Sequence, residues 1–269
     1  MEIKKVFKMK KPIIGMIHLD YLAGQPQFKG ITYATEKALK DLKALETGGV
    51  DAVLIENWKD NTGGMFVSAE TIASMAMITK VVVEHSKIPV GVNVLPNDFK
   101  AAFSIAKACG AKFVQIDVFV DKVKTDYSYS DARSFEVKVD LKEFKKYRKQ
   151  IDAENILLLA GVQPKHYKML EKKPIKQSAR EVEMNAADVI VITGDATGEA
   201  PLIKEIKLVK KSAGIPIFIG SGLTKQNAAA LLKYADGAIV GTAFKDANFK
   251  KVIGGNVRDL MKTVEAIRR

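Results

Sequence analysis

The chain has 269 residues, with 43 Lys and Arg against 31 Asp and Glu, a formal charge of +12 and 47% hydrophobic residues. That balance belongs to a globular protein and excludes a disordered chain, and no apolar run approaches the ~20 residues of a membrane-crossing helix. The single cysteine, Cys109, excludes an intrachain disulfide and a multi-cysteine metal site, and points to a reducing, cytoplasmic setting.

The opening segment, MEIKKVFKMKKP, is basic but lacks the apolar core of a secretory signal. Beyond it, short runs rich in Val, Ile and Leu alternate with longer segments of helical period. The predicted strands cover 13–19, 52–55, 88–95, 113–118, 156–162, 189–193, 215–219 and 238–240. The predicted helices cover 32–47, 69–86, 98–108, 140–150, 176–186, 201–213, 225–234 and 256–268. In the third of these, Phe99, Ala102, Phe103 and Ala106 make one apolar face, with Asn97 or Asp98 as its N-cap. Thr224 is the expected cap of the helix over 225–234, and Gly48-Gly49, Gly110 and Gly214 mark helix ends. Cys109 reads as a small core residue.

Strands apolar on both faces are those of a parallel sheet covered on both sides. Eight of them, each followed by a helix, predict an α/β fold: a single (β/α)8 barrel over 1–269 with a parallel eight-stranded core. The longest stretch without periodicity, 119–139, is either a lid over the site or a variable surface loop.

A barrel of this kind holds its ligand at the C-terminal ends of the strands. Those ends are polar here, while the strands below are apolar. Glu56 and Asp117 are the expected acid–base pair, with Asn93 and His18 orienting the substrate. By alternation Asp117 shares the inward face with Gln115. Thr193, Gly194, Gly220, Ser221, Gly222, Gly241 and Thr242 fall in the last loops, where small residues let backbone N–H groups approach a phosphate. Asn57, Asn97, Asp98, Lys165, His166 and Thr197 are further site candidates at strand tops. The histidines have no HxH or HxxxH spacing, so no metal is expected, and no cofactor motif is present. The lysine run 142–149 has the spacing of a solvated helix face, without a glycine–aromatic signature, so no nucleic-acid partner is expected. The expected ligand is a phosphorylated small molecule, and a homodimer is the default assembly.

The segments IIGMIHLDYLAGQP, GGVDAVLIENWKD, VGVNVLPNDFKAAFSIA, GAKFVQIDV, Lys165-His166, ADVIVITGDATG, IGSGLT and ADGAIVGTAFK span residues 13 to 245. In this order they make the chain similar to the BtpA/SgcQ family. The resemblance implies a TIM-barrel-like fold. It also implies recurrent polar positions at His18, Glu56, Asn57, Asp60, Asn93, Asn97, Asp98, Lys165, His166, Thr193, Gly194, Thr197, Gly198, Gly220, Ser221, Gly222, Gly241 and Thr242. One member is linked to photosystem I biogenesis; others stand among carbohydrate-utilisation genes or carry nucleosidase or phosphoribosylanthranilate isomerase labels.

This chain departs from the family where an acidic residue commonly precedes the Lys-His pair; it has Ala160-Gly161-Val162. The isomerase reaction would need a Cys after the first strand and an Asp after the sixth, where this chain has Met16-Ile17-His18 and Thr193-Gly194. The function expected is therefore a phosphate-binding enzyme acting on a small phosphorylated sugar or nucleoside-like substrate, by nucleosidase-, lyase- or isomerase-type acid–base chemistry. The alternative is a non-catalytic photosystem I assembly factor.

Overall fold

The computed structural model describes residues 3–60, 64–125 and 134–269. The chain runs α1 (Ile3–Val6), β1 (Ile13–His18), α2 (Ile31–Gly48), β2 (Ala52–Glu56), α3 (Ala69–His85), β3 (Val90–Asn93), α4 (Phe99–Cys109) and β4 (Phe113–Ile116). It continues through β5 (Val123–Thr125), β6 (Glu136–Val137), α5 (Leu141–Gln150), β7 (Leu157–Val162), β8 (Tyr167–Met169), α6 (Ile175–Met184) and β9 (Val189–Ile192). Then come α7 (Ile203–Lys210), β10 (Ile217–Ile219), α8 (Ala228–Leu232), β11 (Gly237–Val240), a 3-10 turn (Thr242–Phe244) and α9 (Gly254–Arg268). Eight of the strands close into a parallel barrel in the order β1-β11-β10-β9-β7-β4-β3-β2.

Register explains why alternate residues have different fates. Neighbours paired across a sheet point to the same face. One face, with Ile14, Met16, Leu54, Phe113, Leu157, Leu159, Val191, Phe218 and Ile239, packs as a separate cluster filling the barrel. The other face joins the helices in the larger core. Space inside is tight enough that bulk and its absence alternate. Phe113 lies beside Gly91, where a Cβ would sit 2.1 Å from its ring, and Phe218 lies beside Gly237, where one would sit 2.6 Å away. Helix α1 was not expected from the sequence, being a single turn too short for a periodic signal. It carries Phe7 into the barrel, with its ring centroid 5.2 Å from Phe113 and 5.8 Å from Phe218.

Local signals did their expected work at several helix ends. Asp98 accepts from Ala101 N at 2.9 Å as the cap of α4. Thr224 is not the cap expected of it: α8 starts only at Ala228 with Asn227 at its N-cap, and Thr224 and Asn227 instead exchange side-chain-to-backbone bonds across the turn before it. Gly49 and Gly110 end α2 and α4 in the left-handed region. Gly214 does not: α7 stops at Lys210 and the Gly214 N–H donates to Glu183 Oε1 instead. Cys109 is buried at the end of α4.

The stretch 119–139 is not wholly irregular. Its two ends form β5 and β6, which with β8 make a small antiparallel sheet, β6-β5-β8. Buried Asp121 anchors its start, accepting from Ser178 Oγ at 2.7 Å, Gln163 N at 2.8 Å and Lys173 Nζ at 3.1 Å. Residues 126–133, the middle of the stretch expected to be a lid or a surface loop, lie outside the described residues.

Candidate functional site

Three barrel strands end in polar residues, level with Gln115 near the end of a fourth. His18 is in register with Glu56, Glu56 with Asn93, and Asn93 with Gln115. All four point inward above the Met16–Leu54 layer, and Asp117 follows just past β4. Asn93 Nδ2 donates to Glu56 Oε2 at 2.9 Å and reaches Asp117 Oδ1 at 3.4 Å. Gln115 Nε2 donates to the same Asp117 oxygen at 2.6 Å. His18 Nε2 lies 3.6 Å from Glu56 Oε1, and its ring stacks on Trp58, with centroids 5.4 Å apart. One amide thus bridges two carboxyl groups, which brings together the four residues expected to carry the chemistry.

Burial governs their protonation. It pushes Glu56 up to about 7, helped by the negative charge of Asp117 and opposed by the Asn93 hydrogen bond. Burial also raises Asp117, against the Gln115 bond and the charge of Lys165. Burial pulls His18 down to about 3, with Lys245, Lys37 and Lys165 adding to the effect, so the imidazole is neutral. Near neutral pH Glu56 is therefore balanced between acid and base, the state proton transfer requires.

Lys165 stands at the same mouth. Its backbone N–H donates to Thr193 Oγ1 at 3.0 Å, and burial lowers the amine, with Asp117 and Glu56 opposing. His166 Nε2 meets Thr197 Oγ1 at 2.7 Å, linking the loops after β7 and β9.

On the opposite side, a small cavity of about 60 Å³ is lined by Gly198, Gly222, Leu223, Thr224, Val240, Gly241, Thr242 and Ala243. Among the described residues, the Gly222, Leu223 and Thr242 N–H groups have no protein acceptor. Gly222 is at φ +70°, and a Cβ there would fall 2.1 Å from Ala200 N. Only glycine lets these loops close together. Three of the seven expected phosphate residues line this cavity: Gly222, Gly241 and Thr242. The others hold the loops. Ser221 Oγ accepts from Gly194 N at 3.1 Å and donates to Glu199 O at 2.7 Å, Thr193 anchors Lys165, and Gly220 N–H donates to Ile192 O at 2.7 Å.

Three further candidates are held by backbone. Asn57 Oδ1 accepts from Leu95 N at 2.6 Å while its Nδ2 donates to Leu95 O at 3.0 Å. Asn97 grips Val118 in the same two-pronged way, at 2.9 and 2.8 Å. Both Asp98 oxygens accept backbone N–H groups, from Ala101 and Val67.

Sequence reasoning missed Lys245, buried and 3.3 Å from Asp41, whose charge bears on both His18 and Glu56. Its place soon after the last barrel strand was the available signal. It also missed Trp58, whose half-exposed ring covers His18. Among the described residues no cluster of three His, Cys, Asp or Glu could hold a metal ion, and no helix is long and apolar enough to cross a membrane.

A closed parallel barrel with its polar residues gathered at the C-terminal strand ends is a TIM barrel. Solved structures agree in fold. Thiamine phosphate pyrophosphorylase from Pyrococcus furiosus superposes with a TM-score of 0.57 at 16% identity, covering 96% of each chain. Phosphoribosyl anthranilate isomerase from Thermus thermophilus gives 0.59 at 9% identity, over 96% of this chain and 100% of that one. The chain belongs to the BtpA family, whose pattern matches residues 9–266. An uncharacterized protein of Archaeoglobus fulgidus is 34% identical over 88% of this chain and 92% of its own. The photosystem I biogenesis protein BtpA of Synechocystis is 30% identical over 91% of this chain and 84% of its own.

Proposed function

We propose that the protein is an enzyme acting on a small phosphorylated sugar or nucleoside-like molecule by acid–base chemistry. The observation that carries this reading is the Asn93 amide between Glu56 and Asp117. Two carboxyl groups facing one ligand volume, both with raised proton affinity, can divide the work: one gives a proton, the other takes one. With both its N–H groups on the carboxyls, the Asn93 amide offers its oxygen as a neutral acceptor to a substrate hydroxyl, and neutral His18 a second polar contact. The backbone N–H groups of the Gly222 and Thr242 loops face a phosphate across the mouth, fixing the distance from phosphate to reacting carbon.

Titration with ribose 5-phosphate and inorganic phosphate tests this. Both should raise the melting temperature, and a ligand-bound structure should show phosphate against Gly222 and Thr242. No thermal shift, and no anion in those loops, would end this reading.

The second reading is a non-catalytic assembly factor for photosystem I, and the name of the Synechocystis relative supports it. Rescue of photosystem I accumulation in a strain lacking that relative, equally by the native chain and by Glu56→Gln, would favour it over an enzyme.

A further inference from the structure

We propose that Lys165 is a nucleophilic amine that condenses with the carbonyl carbon of an open-chain sugar phosphate, forming a Schiff base inside the barrel mouth. The proposal rests on the phosphate and acid–base reading above.

The geometry begins with how residue 165 is held. It lies in the short connection between β7 and β8. Its backbone N–H is fixed to Thr193 Oγ1, on the inward face above β9. Strand β8 follows at once and pairs with β5, Thr125 against Tyr167, while the Tyr167 hydroxyl donates to Pro96 O at 3.0 Å. The connection is therefore pinned on both sides, so the start of this side chain is fixed at the rim.

Two other lysines withdrawn from solvent are clamped by carboxylates. Lys173 sits 3.1 Å from Asp121 and 2.5 Å from Glu181, and Lys245 sits 3.3 Å from Asp41. Lys165 feels the charges of Asp117 and Glu56, yet among the described residues its amine has no ion-pair partner. A rim lysine serving only stability would be expected to close on one of those carboxylates. This amine instead is left available beside two proton carriers, and its burial favours the neutral form that attacks carbonyls. The end of β7 itself carries no acid. Its inward position is Gly161, against which the Asp117 carbonyl packs so closely that a Cβ would lie 2.0 Å from the oxygen. The missing side chain lets the end of β4 lean over β7, which brings the Asp117 carboxyl to the lysine's side of the mouth.

The chemistry balances without an oxidant, reductant or metal. The amine nitrogen attacks the carbonyl carbon, a C–N bond forms, and the oxygen takes a proton from the protonated carboxyl of the Glu56–Asp117 pair. The nitrogen loses a proton to the ionised carboxylate. The carbinolamine C–O bond then breaks and water leaves with a second proton from the same pair, giving an iminium ion. That cation draws electrons from the adjacent carbon, where the ionised carboxylate removes a proton or a carbon–carbon bond opens.

Incubation of the full chain with ribose 5-phosphate and sodium cyanoborohydride, followed by intact mass and peptide mapping, is the test. One reduced adduct per chain is expected, on the peptide containing Lys165, suppressed by excess inorganic phosphate and lost in Lys165→Met and Lys165→Arg. Glu56→Gln should slow its formation by roughly 10²-fold, the usual reach of a positioned acid. Adducts scattered over surface lysines and unchanged by Lys165→Met would overturn the proposal. So would a clear thermal shift with ribose 5-phosphate but no adduct, which would leave the binding reading standing and make Lys165 a cation for the substrate's charged groups. Absence of both adduct and thermal shift would overturn the two readings together.

Discussion

On the β1–β4 side of the mouth the polar groups are side chains gathered on one another: Asn93 bonds to Glu56, Asn93 and Gln115 bond to Asp117, and His18 lies 3.6 Å from Glu56. On the β9–β11 side they are backbone groups in glycine-containing loops, with Thr224 and Thr242 beside them and Thr193 and Ser221 fastening those loops. The first side can move protons because burial has shifted its acids. The second has no titrating group lining its cavity, and can offer only fixed dipoles. Under the proposed function, a site divided this way separates reaction from grip, so the two should fail independently when altered.

The largest effect should come from Glu56→Gln or Asp117→Asn. Turnover of ribose 5-phosphate should fall by about 10²–10⁴-fold, while the thermal shift given by inorganic phosphate stays unchanged. Loss of both together, with a lower melting temperature, would make the carboxyl pair structural and erase the division.

A pH series sharpens the same contrast. Burial holds Glu56 protonated up to about 7, against 4.5 for a free glutamate. Between those values the folded chain keeps a proton that the unfolded chain releases. The contribution of Glu56 to stability therefore declines as pH rises through this window, by up to about 3 kcal/mol. His18, lowered from 6.5 to about 3, acts oppositely, since its stability contribution is lost as pH falls through that interval. Comparing native protein with Glu56→Gln at each pH isolates the carboxyl. In urea unfolding, the variant should gain on the native chain from about pH 4.5 to 7 and level off above. Parallel profiles would show that Glu56 is not shifted.

On the backbone side, Gly222→Ala must place a Cβ against Ala200 N at a positive φ. Roughly 1–3 kcal/mol of stability should be lost, together with the phosphate-induced thermal shift, while borohydride labelling by small uncharged aldehydes at Lys165 persists. The smallest effect should follow Thr197→Val, which removes the contact to His166. About 0.5–1.5 kcal/mol is at stake, and a urea midpoint indistinguishable from the native one would show the contact to be incidental.

How much of this was legible in the sequence differs between the same two sides. Inward alternation placed Asn93, Gln115 and Asp117 correctly because a strand's period of two leaves a residue only two faces. Glycines in the last loops marked close approach, yet could not say which N–H groups would be left without acceptors. Asn57, Asn97 and Asp98 stand at strand ends like site residues, but their side chains grip Leu95, Val118, Val67 and Ala101 backbone. That choice depends on where another loop passes, which no local pattern encodes. The same holds for β5, β6 and β8, short strands whose partners are distant in sequence.

Phe7 imposes an order on assembly. Its ring rests on Phe113 and Phe218, from the middle and the late part of the chain. During synthesis the Phe7 ring emerges long before Phe218, so its full seat is complete only once that later ring has been made. Strand β1 waits even longer, because its second neighbour, β11, comes still later. Closure is thus a late, long-range event of the slow kind, and until it happens the unpaired edge of β1 is exposed to aggregation. Trimming residues 3–7 should for this reason alter refolding yield more than it alters any property of the mouth at the other end of the barrel.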